Sequence, residues 1–131
     1  MKKVLFVCVE NSCRSQMAEA FAKIYGADVI DSCSSGSRPS GVVNAKAIAA
    51  MADIGYDLES HVSKSLDDIP QVEYDYVVTM GCGDECPYVQ AKVREDWQIP
   101  DPKYMDKREF ESVRDTIKAA VVALIERIKA H

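Results

Sequence analysis

The feature that most constrains this chain is a change of character at Cys8. Val4-Leu5-Phe6-Val7 is an unbroken apolar run that reads as a buried strand. Cys8-Val9-Glu10-Asn11-Ser12-Cys13-Arg14-Ser15 follows, and then Gln16-Met17-Ala18-Glu19-Ala20-Phe21-Ala22, which reads as the opening of a helix. A strand that breaks into a short loop and turns into a helix aims several backbone N–H groups and a helix N-terminus at one point, a geometry that binds oxyanions. Cys8 then stands at the strand end and Arg14 at the helix start, where its planar fork suits two oxygens of a tetrahedral anion. The same positive field favours the thiolate of Cys8, and the Ser15 hydroxyl is placed to donate to the sulfur. The stretch reads as a sulfur nucleophile beneath an oxyanion cradle. The plainer alternative makes Cys8 a small buried hydrophobe.

The remaining pattern alternates. Residues 14–25 form a helix with Met17, Ala18, Phe21, Ala22 and Tyr25 on one face, ended by Gly26. Residues 28–33 form a strand, and Ser34-Ser35-Gly36-Ser37-Arg38-Pro39-Ser40-Gly41 is a loop by composition. Cys33 is expected in the core. Residues 44–54 form a helix burying Ala47, Ile48, Met51 and Ala52, with Gly55 as its cap. An irregular stretch follows, with a turn of helix over 65–69 before Pro70. Residues 74–80 and 95–99 are the third and fourth strands. Asp106 and Glu109 make a capping box for a last helix carrying Phe110, Val113, Ile117, Val121, Leu124 and Ile128. The sum is an α/β sandwich in one domain, residues 1–131, with a four-stranded parallel sheet and helices on both faces. Ligands of open α/β sheets bind beyond the carboxyl ends of the strands. Cys8 and Cys82, at or just past two such ends, are therefore expected to face one crevice.

A net charge of −5 argues against nucleic acid or an anionic membrane as partner. No stretch approaches a membrane span, and the apolar N-terminal run is too short for a signal peptide, so a cytoplasmic monomer is expected. Five cysteines in such a setting point to redox or metal chemistry, and the odd count excludes complete pairing. The near pairs Cys8/Cys13 and Cys82/Cys86 allow a zinc site or a thiol relay. Zinc is the weaker reading, since its knuckles space cysteines about two to four apart and the residues after Cys8 are needed for the loop.

Cys-x5-Arg-Ser after an N-terminal strand resembles the low-molecular-weight tyrosine phosphatase superfamily. Within it, Asn11-Ser12-Cys13-Arg14-Ser15-Gln16-Met17-Ala18-Glu19 looks like the arsenate reductases coupled to thioredoxin, whereas the phosphatases commonly carry proline at the position of Gln16. The resemblance implies strand order 2-1-3-4 and an oxyanion held by Glu10, Asn11, Ser12, Cys13, Arg14 and Ser15. It makes Cys8 the nucleophile toward arsenate and Asp101, in Asp101-Pro102, the acid. Cys82 would resolve the Cys8–arsenic adduct, Cys86 would move the bridge to Cys82–Cys86, and thioredoxin would reduce it. Gly81 and Gly83 ease that movement. The relay cysteines of such relatives lie further apart, so glutathione with glutaredoxin, or mycothiol, is the alternative reductant. No bound cofactor is expected. Relatives with a bound potassium ion carry an acid where this chain has Lys64, and with Asn11, Glu19 and Ser34 matching, the lysine ammonium is expected in place of a metal. Cys13 is expected to pack under the loop, Glu10 to point to solvent, His61 to be structural and Ser63 to reach the loop.

Two other functions fit the same motif. A phosphotyrosine phosphatase would use Cys8, Arg14 and Asp101, with Tyr104 against the phenyl ring, and weak phosphatase activity is expected of a reductase too. It would ignore the loss of Cys82, whereas a reductase would stall. An oxyanion or metalloid sensor would bind without thiol-dependent release.

Overall fold

The computed structural model describes residues 1–81 and 89–130. The elements are β1 (Lys2–Cys8), α1 (Arg14–Gly26), β2 (Ile30–Gly36), α2 (Ala45–Ala52), β3 (Tyr74–Thr79), β4 (Ala91–Asp96) and α3 (Lys107–Lys129). The strands form a four-stranded parallel sheet in the order β2-β1-β3-β4, as the family resemblance implied. β1 is central, and Val4 to Cys8 are buried because both faces of the strand are covered.

Side chains alternate across β1. Val4, Phe6 and Cys8 join Val78 in one core with α1, α2 and α3. Leu5, Val7 and Val77 face the other way, onto Ile69 and Leu66 of the β2–β3 crossover. The third layer was expected to be helical. Among the described residues it is a 3₁₀ turn, Leu66–Asp68, capped by the Ser65 side chain and stopped before Pro70.

Several boundaries move for physical reasons. β2 runs on to Gly36, because Ser34, Ser35 and Gly36 pair with Phe6, Val7 and Cys8. Their loop-like composition reflects close packing, since all three are buried. α2 is shorter than expected. Asn44 caps it by accepting from Lys46 N (2.8 Å), and Ala52 is exposed where burial was expected. Gly55 follows in the left-handed region (φ +86°). β4 lies four residues earlier than expected: its charged residues obscured an edge strand that pairs with β3 from Tyr74↔Ala91 to Thr79↔Asp96. In α3, Asp106 accepts from Glu109 N (2.8 Å), and the expected apolar stripe is buried together with Ile125.

α1 departs from a one-faced helix. Arg14 through Ala22 are all buried, polar residues included, whereas Tyr25 is exposed and stacks on Phe21. Gly26 is not a left-handed cap. A Cβ there would lie 2.9 Å from Ile125 Cδ1, so the glycine permits close packing of α1 on α3.

Candidate active site

The β1–α1 loop is held from three sides. Met80 N donates to Val7 O (2.9 Å), bringing the end of β3 beside the end of β1. Gly36 crosses directly beneath the loop: a Cβ there would sit 2.6 Å from Val9 O and 2.9 Å from Asn11 N. Ser63 Oγ donates to Glu10 O (3.0 Å) and accepts from Gly41 N (3.2 Å), the contact expected of Ser63. Because both near neighbours of Gly36 are backbone, Gly36→Ala has to deform the loop. It is expected to cost about 1–3 kcal/mol of stability, as overpacking does, and to weaken phosphate binding, readable by urea denaturation and calorimetry.

Asn11 is the hub of the loop. It is fully buried in the left-handed region (φ +50°), which asparagine tolerates better than most residues. Its Oδ1 accepts from Lys64 N (2.9 Å), and its Nδ2 donates to Ser15 Oγ (2.7 Å). The Lys64 peptide N–H can only donate, so it fixes which end of the amide faces which way. Ser15 Oγ thus accepts from Asn11 and lies 2.8 Å from Cys8 Sγ, with its own hydrogen available to the sulfur when the sulfur is a thiolate. That is the hydrogen bond a sulfur anion accepts.

Arg14, 6% exposed, is anchored through Nη1 to Met80 O (2.5 Å) and Ile99 O (3.0 Å). Its Nη2 lies 3.9 Å from Asp101 Oδ2. The guanidinium thus ties the ends of β3 and β4 to the loop. A cleft of about 520 Å³ opens here, lined by Arg14, Gly81, Gln98, Ile99, Pro100 and Asp101. Gly81 has φ +73°, and a Cβ on it would lie 2.9 Å from Arg14 Nη1.

Beneath the loop, Gln16 occupies the position where a proline was the alternative. It is fully buried, and the two hydrogens of Nε2 are shared among Asn11 O (3.0 Å), Asn11 Oδ1 (2.9 Å) and Val62 O (3.0 Å). Its Oε1 receives His61 Nδ1 (2.9 Å), leaving His61 Nε2 to accept from Tyr56 Oη (2.6 Å). Burial lowers the His61 pKa from its usual value, so the ring is neutral and structural. Glu19 accepts from Ser34 Oγ (2.6 Å) and Lys23 Nζ (2.6 Å), with Lys64 Nζ 3.7 Å away. Burial opposes its charge, but the hydrogen bonds from Lys23 and Ser34 and the nearby Lys64 hold its pKa below the ordinary value. The Lys64 ammonium does approach Glu19, as expected.

The thiols differ sharply in setting. Cys13 is buried under the loop, and burial pushes its pKa up to about 12. Cys33 is only half-buried, its thiol 3.6 Å from Tyr74 Oη, and burial raises its pKa too. Cys82 and Cys86 lie outside the described residues.

Two features were not foreseen. Gln16 stood out in the sequence as a non-proline, but not as the support of Asn11 and His61. Glu10 does not simply point to solvent: Lys103 Nζ lies 3.0 and 3.1 Å from its two carboxylate oxygens, so the carboxylate in the anion loop is neutralised by a lysine from the Asp101 segment. Tyr104 beside it is 89% exposed.

A family model described as low molecular weight phosphotyrosine protein phosphatase matches residues 3–131. The glutaredoxin arsenate reductase of Synechocystis sp. is 42% identical over 131 residues, spanning 98% of this chain and 99% of that protein. Arsenate reductase 1 of Staphylococcus epidermidis is 40% identical over 131 residues, spanning 97% and 98%. Among solved structures, one described as an arsenate reductase in the phosphate binding state aligns with a TM-score of 0.88 at 42% identity, over 98% of this chain and 99% of that one.

Proposed function

The chain belongs to the low-molecular-weight phosphotyrosine protein phosphatase family, and from that premise we propose that it reduces arsenate to arsenite, as the names of its nearly full-length relatives describe for them. The observation that carries the redox reading over simple phosphatase chemistry is the position of Gly81. A Cβ on it would lie 2.9 Å from Arg14 Nη1, and Cys82 is the next residue in the sequence.

Arsenate, held by Arg14 and the N–H groups of residues 10–15, is attacked at arsenic by Cys8 Sγ. An As–O bond breaks, and Asp101 supplies the proton that lets the oxygen leave as water. The product is a Cys8–S–As(V) ester. Cys82 then attacks Cys8 Sγ. The S–S bond forms, the S–As bond breaks, and its electron pair stays on arsenic, which departs as arsenite while two thiols become one disulfide. Cys86 attacks Cys82, forming Cys82–Cys86 and freeing Cys8. An external dithiol takes over the bridge by thiol exchange, which returns the chain to its starting state.

Thioredoxin is the reductant this relay suits, because it is a dithiol of low potential that can take over the Cys82–Cys86 bridge by exchange and resolve the mixed disulfide itself. The name of the Synechocystis relative favours a second reading, glutathione with glutaredoxin acting on the oxidised Cys8 or Cys82. Arsenate-dependent NADPH consumption separates them. The expected result is turnover with thioredoxin and its reductase. Turnover only with glutathione, glutaredoxin and glutathione reductase would transfer the reading to the second system. Failure of both, with phosphotyrosine still hydrolysed, would overturn the reductase assignment.

A further inference from the structure

We infer that Lys103 is a positioning residue for the first chemical step: it latches the segment bearing Asp101 onto the anion loop through Glu10, and so aims the Asp101 carboxyl at the oxygen that leaves when Cys8 attacks. This rests on the roles given above to Cys8 and Asp101.

Residues 97–106 form neither helix nor strand, and Asp101 is half exposed within them. Such a segment has little of its own to hold a carboxyl in place, yet a misplacement of about 1 Å can cost a catalytic group roughly a hundredfold in rate. Lys103 contacts both sides of the gap. Its backbone N–H donates to Asp101 Oδ1 (3.1 Å), fixing the carboxyl relative to the chain. Its side chain reaches the other way, placing Nζ 3.0 and 3.1 Å from the two Glu10 oxygens. Glu10 is in turn fixed, because its carbonyl accepts from Ser63 Oγ and Ser40 N. A continuous chain of contacts therefore joins the loop that carries the nucleophile to the carboxyl opposite Arg14.

The same pair resolves an oddity of the sequence. A carboxylate in an anion-binding loop repels the substrate, and a chelating ammonium removes most of that repulsion while using the carboxylate as an anchor. Both side chains are about one-third exposed, and exposed ion pairs contribute little to stability. The effect of the pair should therefore fall on rate and leave folding almost untouched.

The test uses kcat/KM for two aryl phosphates, which report the same first step. Phenyl phosphate has a poor leaving group that needs a proton, whereas p-nitrophenyl phosphate has a good one that scarcely does. K103M is expected to slow phenyl phosphate about tenfold and p-nitrophenyl phosphate less than about threefold, the pattern of an impaired general acid. K103R should restore most of the loss. In a D101N background, K103M should add less than about a twofold further loss on phenyl phosphate, because the residue acts through Asp101. Thermal midpoints should agree within a degree or two. An equal fall for both esters, the same fall in the D101N background, or no fall would overturn the inference while leaving the reductase reading in place. Arsenate reduction by the wild type is measured alongside. A wild type that turns over neither ester nor arsenate would overturn both.

Discussion

Cys8→Ser is expected to abolish arsenate reduction and aryl phosphate hydrolysis together, by about four orders of magnitude or more, as removal of a covalent nucleophile does elsewhere. The substitution is nearly isosteric and leaves the surroundings intact. Ser15 Oγ retains a partner, Asn11 keeps its three hydrogen-bonded neighbours, and Arg14 stays anchored to Met80 O and Ile99 O. Anion affinity should therefore stay within a few-fold of wild type, measured as phosphate binding by calorimetry. Turnover lost with binding kept is the signature of a missing nucleophile. Binding lost as well would mean that the sulfur is part of the cradle and not the attacking atom.

Cys82→Ser is expected to divide the two activities. Hydrolysis of phosphate esters needs only Cys8, Arg14, Asp101 and water, and should stay within about twofold of wild type. Arsenate reduction needs a second thiol to release arsenic in its lower oxidation state, and should fall by about a thousandfold or more, again the scale of losing a covalent participant. Cys86→Ser refines the result. With thioredoxin as the reductant, it should release about one arsenite per chain and then stop, with Cys8 and Cys82 joined in a disulfide that mass spectrometry detects. Continued turnover with glutathione would show that Cys86 is dispensable. Retention of full reductase activity by Cys82→Ser would sink the relay.

Much of this was legible in the sequence because the decisive signal was local. An apolar run, a short loop and a helix start specify the anion loop by chain connectivity, and they led to Cys8, Arg14 and Ser15 as neighbours. Alternation of strands and helices, with the family resemblance, led to the sheet order. What escaped were features set by partners distant in sequence. Ser34-Ser35-Gly36 looked like a loop because small polar residues are read as solvated, whereas here they are small because the anion loop and Glu19 press on them. The start of β4 was displaced because an edge strand carries charges that erase its apolar alternation. Gly26 does end α1, but without a left-handed conformation, and its smallness serves Ile125. The Glu10–Lys103 pair spans two loops with no periodicity to announce it.

Lys64, Asn11, Ser15 and Cys8 are joined in series by contacts of 2.9, 2.7 and 2.8 Å. The chain of contacts starts at a peptide N–H, a group that neither titrates nor spins, and that immovable end sets the sense of the Asn11 amide. Hydroxyls in reactive centres often point whichever way the nearest ionising side chain dictates, and reverse when it gains or loses a proton. Here the Asn11 amide is oriented by the main chain, so its Nδ2 faces Ser15 Oγ whatever charges the surrounding side chains carry.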